Sequence, residues 1–248
     1  MLSDLLQYEN KNNVFILGSG YSINTIKPKT WNKLKKHTTI AFNWFCFHDF
    51  EPSIYIVREQ ANIKQRRNKE ETVQNFINKL KSYNDTSIIV SDVSHHSPHA
   101  YRYKNNDFIK EKNATILKDI KYRKKVLPRR LVDTLTKNAF SSNSCFHGDE
   151  KTACSLVNAL HIAISLNPKN IVLLGVDLCD SKYFWMGKEQ TRHTVKKKGQ
   201  TFRSKHATHN KIIYLMNSLK RTNYNFISGS KKSALNKTIK YKEIDDLI

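Results

Sequence analysis

His206 and His209 lie three residues apart where a cation-rich loop gives way to apolar helical spacing. That loop runs from Arg192 through Lys196-Lys197-Lys198 and Arg203 to Lys211, and the apolar spacing begins at Ile212. Imidazole titrates near neutral pH, so a histidine fixed at such a junction is a candidate general base. His206 is the first choice, His209 its rival one helical turn on, and His147 beside Gly148 a third. Near the N-terminus, Val14-Phe15-Ile16-Leu17 runs into Gly18-Ser19-Gly20-Tyr21-Ser22. Glycines directly after a strand let backbone N–H groups approach a phosphate or ribose. The turn lacks the third glycine of a full dinucleotide motif and the Gly-Lys-Ser/Thr of a phosphate-binding loop, and a plain tight turn is the alternative reading. Asn43 follows a second apolar run, and its amide both donates and accepts, as a base or ribose requires. Asp177 closes Ile171-Val172-Leu173-Leu174-Gly175-Val176-Asp177, which places a carboxylate just beyond a strand end.

The elements that position these residues follow from the pattern of apolar residues. Strands are expected over 14–17, 39–42, 54–57, 87–90, 171–176 and 224–227. Helical stripes fall between them: Val73, Phe76, Ile77 and Leu80; Ala153, Leu156, Val157, Leu160 and Ile164; and Ile212, Leu215, Met216 and Leu219. Asp149 and Glu150 suit the positive start of the second of these helices. Uniformly apolar strands alternating with helices imply βαβ units and a parallel sheet covered on both faces. The fold class expected is α/β: one Rossmann-like, mostly parallel sheet with helices on both faces. Over 92–147 the pattern fades, and a small lid or insertion within a single domain spanning 1–248 is expected there.

The charge is extreme: 43 Lys and Arg against 21 Asp and Glu give a formal +22. A field of that sign collects polyanions, whether nucleic acid, acidic glycan or an anionic membrane surface touched peripherally. Lys121, Arg123 and Lys124, with Lys118, Lys125, Arg129 and Arg130, form a basic run around Val126-Leu127-Pro128 that can hold phosphates without sequence preference. Tyr101, Arg102 and Tyr103 add stacking and cationic groups. The plain reading of both clusters is a solvated surface. His95, His96 and His99 fit no common zinc spacing, so no metal is expected. Cys46, Cys145, Cys154 and Cys179 form no Cys-x-x-Cys pair and read as reduced thiols. No apolar run approaches the roughly 20 residues that span a bilayer, and the first residues carry no signal-peptide pattern, so a soluble, cytoplasmic protein is expected.

With these residues in place, the chain resembles the bacterial CMP-sialic-acid-dependent sialyltransferases and their wider single-Rossmann superfamily. Gly18-Ser19-Gly20-Tyr21-Ser22 resembles that family's Gly-x-Gly-Pro-Ser, with Tyr21 in place of proline. Ala41-Phe42-Asn43-Trp44-Phe45 is similar to its asparagine-bearing strand end. The segment from Thr152 to Leu166 with Gly175-Val176-Asp177 is similar to its most regular part, and Lys205-His206-Ala207 to its Gly-His-Ser. The resemblance implies His206 as the base that deprotonates an acceptor hydroxyl. It also implies two tyrosines on the donor phosphate, of which only Tyr183 has a counterpart. Cys179 stands where the other is expected, so Lys182, Lys188, Arg192 or Arg203 would supply the missing stabilisation electrostatically.

The leading expectation is a metal-independent glycosyltransferase using a CMP- or UDP-linked sugar and no other cofactor. Gly18, Ser19, Gly20, Ser22, Asn43, Asp177 and Tyr183 are expected on the donor. The acceptor is expected to be polyanionic: DNA bearing a hydroxylated base, or acidic lipooligosaccharide. Two further readings are a pterin-type pyrophosphokinase-like transferase, which needs carboxylates for Mg²⁺ beside Asp177, and a noncatalytic nucleic-acid-binding α/β protein.

Overall fold

The computed structural model describes residues 7–8, 12–57, 70–91, 115–117, 155–178, 183–186, 212–213, 216–217, 219 and 224–248. For some of these, Asn43, Val73 and Val157 among them, only the backbone is described. Eight strands form one sheet: β1 (Asn13–Leu17), β2 (Thr38–Phe42), β3 (Ile54–Val57), β4 (Ser87–Ser91), β5 (Thr115–Leu117), β6 (Asn170–Leu174), β7 (Asn225–Ser228) and β8 (Lys240–Tyr241). Their order is β5-β4-β3-β2-β1-β6-β7-β8, and every neighbouring pair is parallel. The order reverses at β1: the strands that follow it run outward on one side, and β6 begins the other. Open α/β sheets form their ligand crevices at the carboxyl edge of such a reversal.

Alternate residues of each strand feed two separate cores. Val14, Ile16, Ile40, Phe42, Ile54, Ile56, Ile171 and Leu173 pack on one face against helix α3 (Ser155–Ser165) and against Ile212, Met216 and Leu219. Phe15, Leu17, Ala41, Tyr55, Val57, Val172 and Leu174 pack on the other. That face is covered by α1 (Pro28–Leu34), α2 (Glu70–Lys81) and the chain end at Ile244 and Leu247. A side-chain period of two with both faces apolar is what an all-parallel sheet demands. Each fully buried Phe or Ile adds about 1.5–3 kcal/mol relative to exposure. At the amino edge, Asn170 Nδ2 donates to Asn13 Oδ1 at 2.6 Å, and Asn225 Nδ2 donates to Asn170 Oδ1 at 2.7 Å. These three asparagines are register partners on β1, β6 and β7, so their amides lock that register.

The stripes place the helices. Phe76 and Leu80 of α2 are buried, as are Leu156, Leu160 and Ile164 of α3. Residues 212–213, 216–217 and 219 are helical where the third stripe lies. The structure adds to the apolar pattern, or departs from it, at three places. The strand expected over 171–176 stops at Leu174, because Gly175 leaves the extended region at φ +65°. Within the 92–147 stretch, residues 115–117 form β5 at the sheet's outer edge, and the rest of the stretch lies outside the described residues. Helix α1 and strand β8 answer to no periodic apolar signal: α1 buries only Thr30 and Leu34, and β8 is Lys-Tyr.

Cys46 is a free, buried thiol, and burial pushes its pKa up to about 12. Its backbone N–H donates to the hydroxyl of fully buried Tyr55 at 3.2 Å. Cys145, Cys154 and Cys179 lie outside the described residues. Among the described residues no helix is long and apolar enough to cross a membrane.

Candidate active site

Strands β1 and β6 are parallel neighbours with Leu17 opposite Leu174, so the glycine turn and Asp177 emerge side by side at the carboxyl edge. The turn is bonded directly to the chain that follows β6. Gly18 N–H donates to Leu174 C=O at 2.7 Å, and Gly20 N–H to Gly175 C=O at 2.8 Å. This contact explains the glycines. A Cβ on Gly18 would strike Gly175, and one on Gly20 would strike the Asp177 carboxylate. A Cβ on Gly175 would lie 2.6 Å from Gly18 O, in a left-handed conformation that already favours glycine. The close approach that these glycines permit is between two loops of the protein.

Asp177 is 5 % exposed and faces the turn. Its Oδ2 accepts the Ser22 N–H at 3.1 Å, and its Oδ1 accepts the Ser22 hydroxyl. Ser22 Oγ also lies 2.9 Å from Ser230 Oγ, and Ser230 Oγ accepts the Gly175 N–H at 3.1 Å. A third loop, following β7, therefore joins the site, and no sequence signal marked it. Directly beyond Asp177, Leu178 takes a left-handed φ of +49°, which turns the chain out of the strand direction. For a residue with a Cβ that conformation costs about 1–3 kcal/mol and persists only where neighbours fix it.

The turn retains one unengaged group. Gly18, Gly20 and Ser22 have engaged their N–H groups. The Ser19 hydroxyl is buried at 6 % exposure and has no partner among the described residues. A buried polar group without a partner costs about 1–3 kcal/mol, so this hydroxyl is the part of the turn chemically open to a phosphate or a ribose.

Residues 183–186 lie across the turn. Tyr183 bridges Gly20 in antiparallel fashion, Phe184 N–H donates to Ser19 C=O at 3.2 Å, and Asn24 Nδ2 donates to Phe184 C=O at 2.9 Å. Tyr183 and Trp185 stack with centroids 4.5 Å apart, and Trp185 meets Phe47 edge-on at 5.2 Å. Phe184 reaches Phe45 at 6.0 Å and His48 at 5.5 Å. Phe45, Phe47 and His48 belong to the 3₁₀ turn and cap that follow β2, so the aromatic cluster joins the ends of β2, β1 and β6. His48 Nδ1 accepts the Phe50 N–H at 2.9 Å. Burial lowers its pKa below 6.5, with Asp49 opposing and Lys79 reinforcing the shift, so the ring is held neutral.

The structure thus brings Gly18, Ser19, Gly20, Ser22, Asp177 and Tyr183 together at one edge. Asn43 begins the 3₁₀ turn after β2 at the same edge, and its backbone alone is described. His206, His209, Lys182, Arg192, Arg203, Lys121, Arg123 and Lys124 lie outside the described residues. No group of His, Cys, Asp or Glu among the described residues could hold a metal ion. Sequence reasoning missed Ser230 and the aromatic cluster around His48. Ser228-Gly229-Ser230 carries no motif, and the aromatic residues of 44–50 have no chemical spacing that marks them.

No protein-family model matches the chain, and no curated protein matches its sequence. Solved structures do match its fold. The monofunctional alpha-2,3-sialyltransferase Cst-I from Campylobacter jejuni matches with a TM-score of 0.58 and 17 % identity, covering 94 % of this chain and 81 % of that one. The sialyltransferase CstII from Campylobacter jejuni, in complex with the substrate analogue CMP-3FNeuAc, gives 0.54 and 18 % over 93 % and 86 %. The sialyltransferase CST-II with a trisaccharide acceptor and CMP gives 0.53 and 18 % over 92 % and 85 %. The chain has the fold of these sialyltransferases.

Proposed function

We propose that this protein is a glycosyltransferase that moves a sugar from a nucleotide-sugar donor, CMP-linked by preference, to a hydroxyl of a glycan acceptor. One observation carries the reading. The loop pair Gly18–Ser22 and Gly175–Asp177 forms a tightly bonded carboxyl-edge turn whose buried Ser19 hydroxyl has no partner among the described residues, within a fold shared with enzymes solved with CMP and CMP-3FNeuAc. That hydroxyl suits a phosphate or ribose oxygen. In the reaction the acceptor oxygen attacks the anomeric carbon as its proton passes to His206. The bond from that carbon to the donor phosphate oxygen breaks, and the nucleotide leaves with the electron pair. Tyr183, Lys182, Arg192 and Arg203 offset the charge that develops on the phosphate, so the reading involves no metal.

The trisaccharide acceptor of the CST-II structure favours a glycan over DNA, and the +22 charge favours an acidic one. The pyrophosphokinase-like alternative needs carboxylates for Mg²⁺ beside Asp177, whose own two oxygens both accept from Ser22. Thermal-shift screening with CMP-, UDP- and GDP-sugars tests the donor. Saturation at about 100 times Kd stabilises the fold by about 2.7 kcal/mol, so a selective rise in Tm with the CMP-sugar is expected. A rise with none of the three would overturn the reading.

A further inference from the structure

The loop that follows β7 holds the donor turn in place although it lies far away in sequence. From its side, three bonds fix the Gly175–Asp177 segment. Gly175 N–H donates to Ser230 Oγ at 3.1 Å, Ser233 Oγ donates to Val176 C=O at 2.7 Å, and Ala234 N–H donates to Asp177 C=O at 2.8 Å. From the opposite side the glycine turn is tied to the same segment through Gly20 and Ser22. The Ser22 hydroxyl stands between two acceptors, the Asp177 carboxylate and Ser230 Oγ at 2.9 Å, and Ser230 Oγ also accepts from Gly175. At 3 % and 5 % exposure, Ser230 and Asp177 are shut away from solvent.

We propose that Ser230 and Asp177 are positioning residues of the donor site: through Ser22 they set the shape of the Ser19–Ser22 turn, and neither touches the donor. This rests on the nucleotide-sugar reading above. Asp177 then differs in role from the donor contact that its place beyond β6 suggests, because its carboxylate serves the turn. Removing the Ser230 hydroxyl leaves Gly175 N–H buried without its partner and frees Ser22 to rotate off the carboxylate.

Two measurements on the full chain test this. The first is CMP binding by calorimetry to the wild type, Ser230→Ala, Asp177→Asn and the double variant. Each single change weakens CMP binding roughly tenfold, and the double is little worse than the poorer single, because all act through one chain of bonds. The second is amide hydrogen exchange without nucleotide. Exchange at Gly20 and Ser22 accelerates in Ser230→Ala while β3 keeps its protection. Should Asp177→Asn not fold, Ser22→Ala replaces it in the cycle. Additive losses, or full affinity in Ser230→Ala with a loss confined to Asp177→Asn, would mean that Asp177 contacts the donor and overturn the proposal. If wild-type protein binds no CMP, the donor reading fails, and unchanged exchange at Gly20 and Ser22 separately overturns the positioning role.

Discussion

Ser22 and Asp177, 155 residues apart in the chain, close on each other at the carboxyl edge: both carboxylate oxygens accept from Ser22, one from its N–H at 3.1 Å and one from its hydroxyl. The pairing turns two strand ends into one rigid ledge, and Gly20 fits there because a side chain would occupy the space of that carboxylate. The Ser19 hydroxyl, without a partner among the described residues, is thereby held in a fixed place, which is the preorganisation that the proposed donor site requires.

The glycine of β6 tests the ledge. Gly175→Ala adds a Cβ 2.6 Å from both Gly18 O and Ile23 Cγ1, at a φ of +65°. Left-handed strain and overpacking together predict a loss of about 2–4 kcal/mol. Urea unfolding should show a lower midpoint at an unchanged slope.

Acid should weaken the aromatic cluster. The ring of His48 lies 4.4 Å from that of Trp31 and 5.2 Å from that of Phe45, and burial lowers its pKa below 6.5; His37 shifts in the same direction. As pH falls through 6.5 the unfolded chain takes up these protons first. Stability that is fully present above 6.5 therefore declines until pH passes the lowered folded values. Melting curves between about pH 7 and pH 5 should show a falling Tm, and His48→Gln should make that fall shallower.

Much of this architecture is legible in the sequence for a physical reason. Ile171 to Leu174 is uniformly apolar because both sheet faces are covered, and Phe76 and Leu80 recur at helical spacing because one face of α2 is buried. The end of β6 is not legible in that way: Val176 is as apolar as the strand, and only the φ of Gly175 turns the chain. Strand β8 is hidden because Lys240 and Tyr241 pair through their backbones at the sheet's edge, where no apolar alternation is required. Of the candidate site, the glycine turn and Asp177 stand out because loops after apolar strands are where such sheets bind. Ser230 does not, since its meaning arises from Ser22, 208 residues away.

Loss of the base should separate chemistry from binding. An acceptor hydroxyl is a poor nucleophile until its proton is removed, a step worth roughly 10²–10⁴ in rate. His206→Ala should lose turnover on that scale and keep its affinity for CMP, as read from steady-state kinetics beside calorimetry. Loss in His209→Ala alone would move the role one helical turn on, and loss in neither would contradict the transferase mechanism.

The charge of +22 predicts a salt-sensitive acceptor step. Screening shortens from about 10 Å at 0.1 M to about 3 Å at 1 M. The KM for an anionic glycan should rise across that range, while that for a neutral glycan of equal length should stay nearly constant. Equal responses of the two would assign the charge no part in acceptor capture.

The most direct measurement is acceptor-dependent release of CMP from a panel of CMP-linked sugars, followed by chromatography with the glycan product identified by mass. The account predicts CMP and glycosylated product in equal amounts from the wild-type chain, and neither above background from His206→Ala. A wild-type protein that neither binds nor consumes any CMP-, UDP- or GDP-sugar would contradict it.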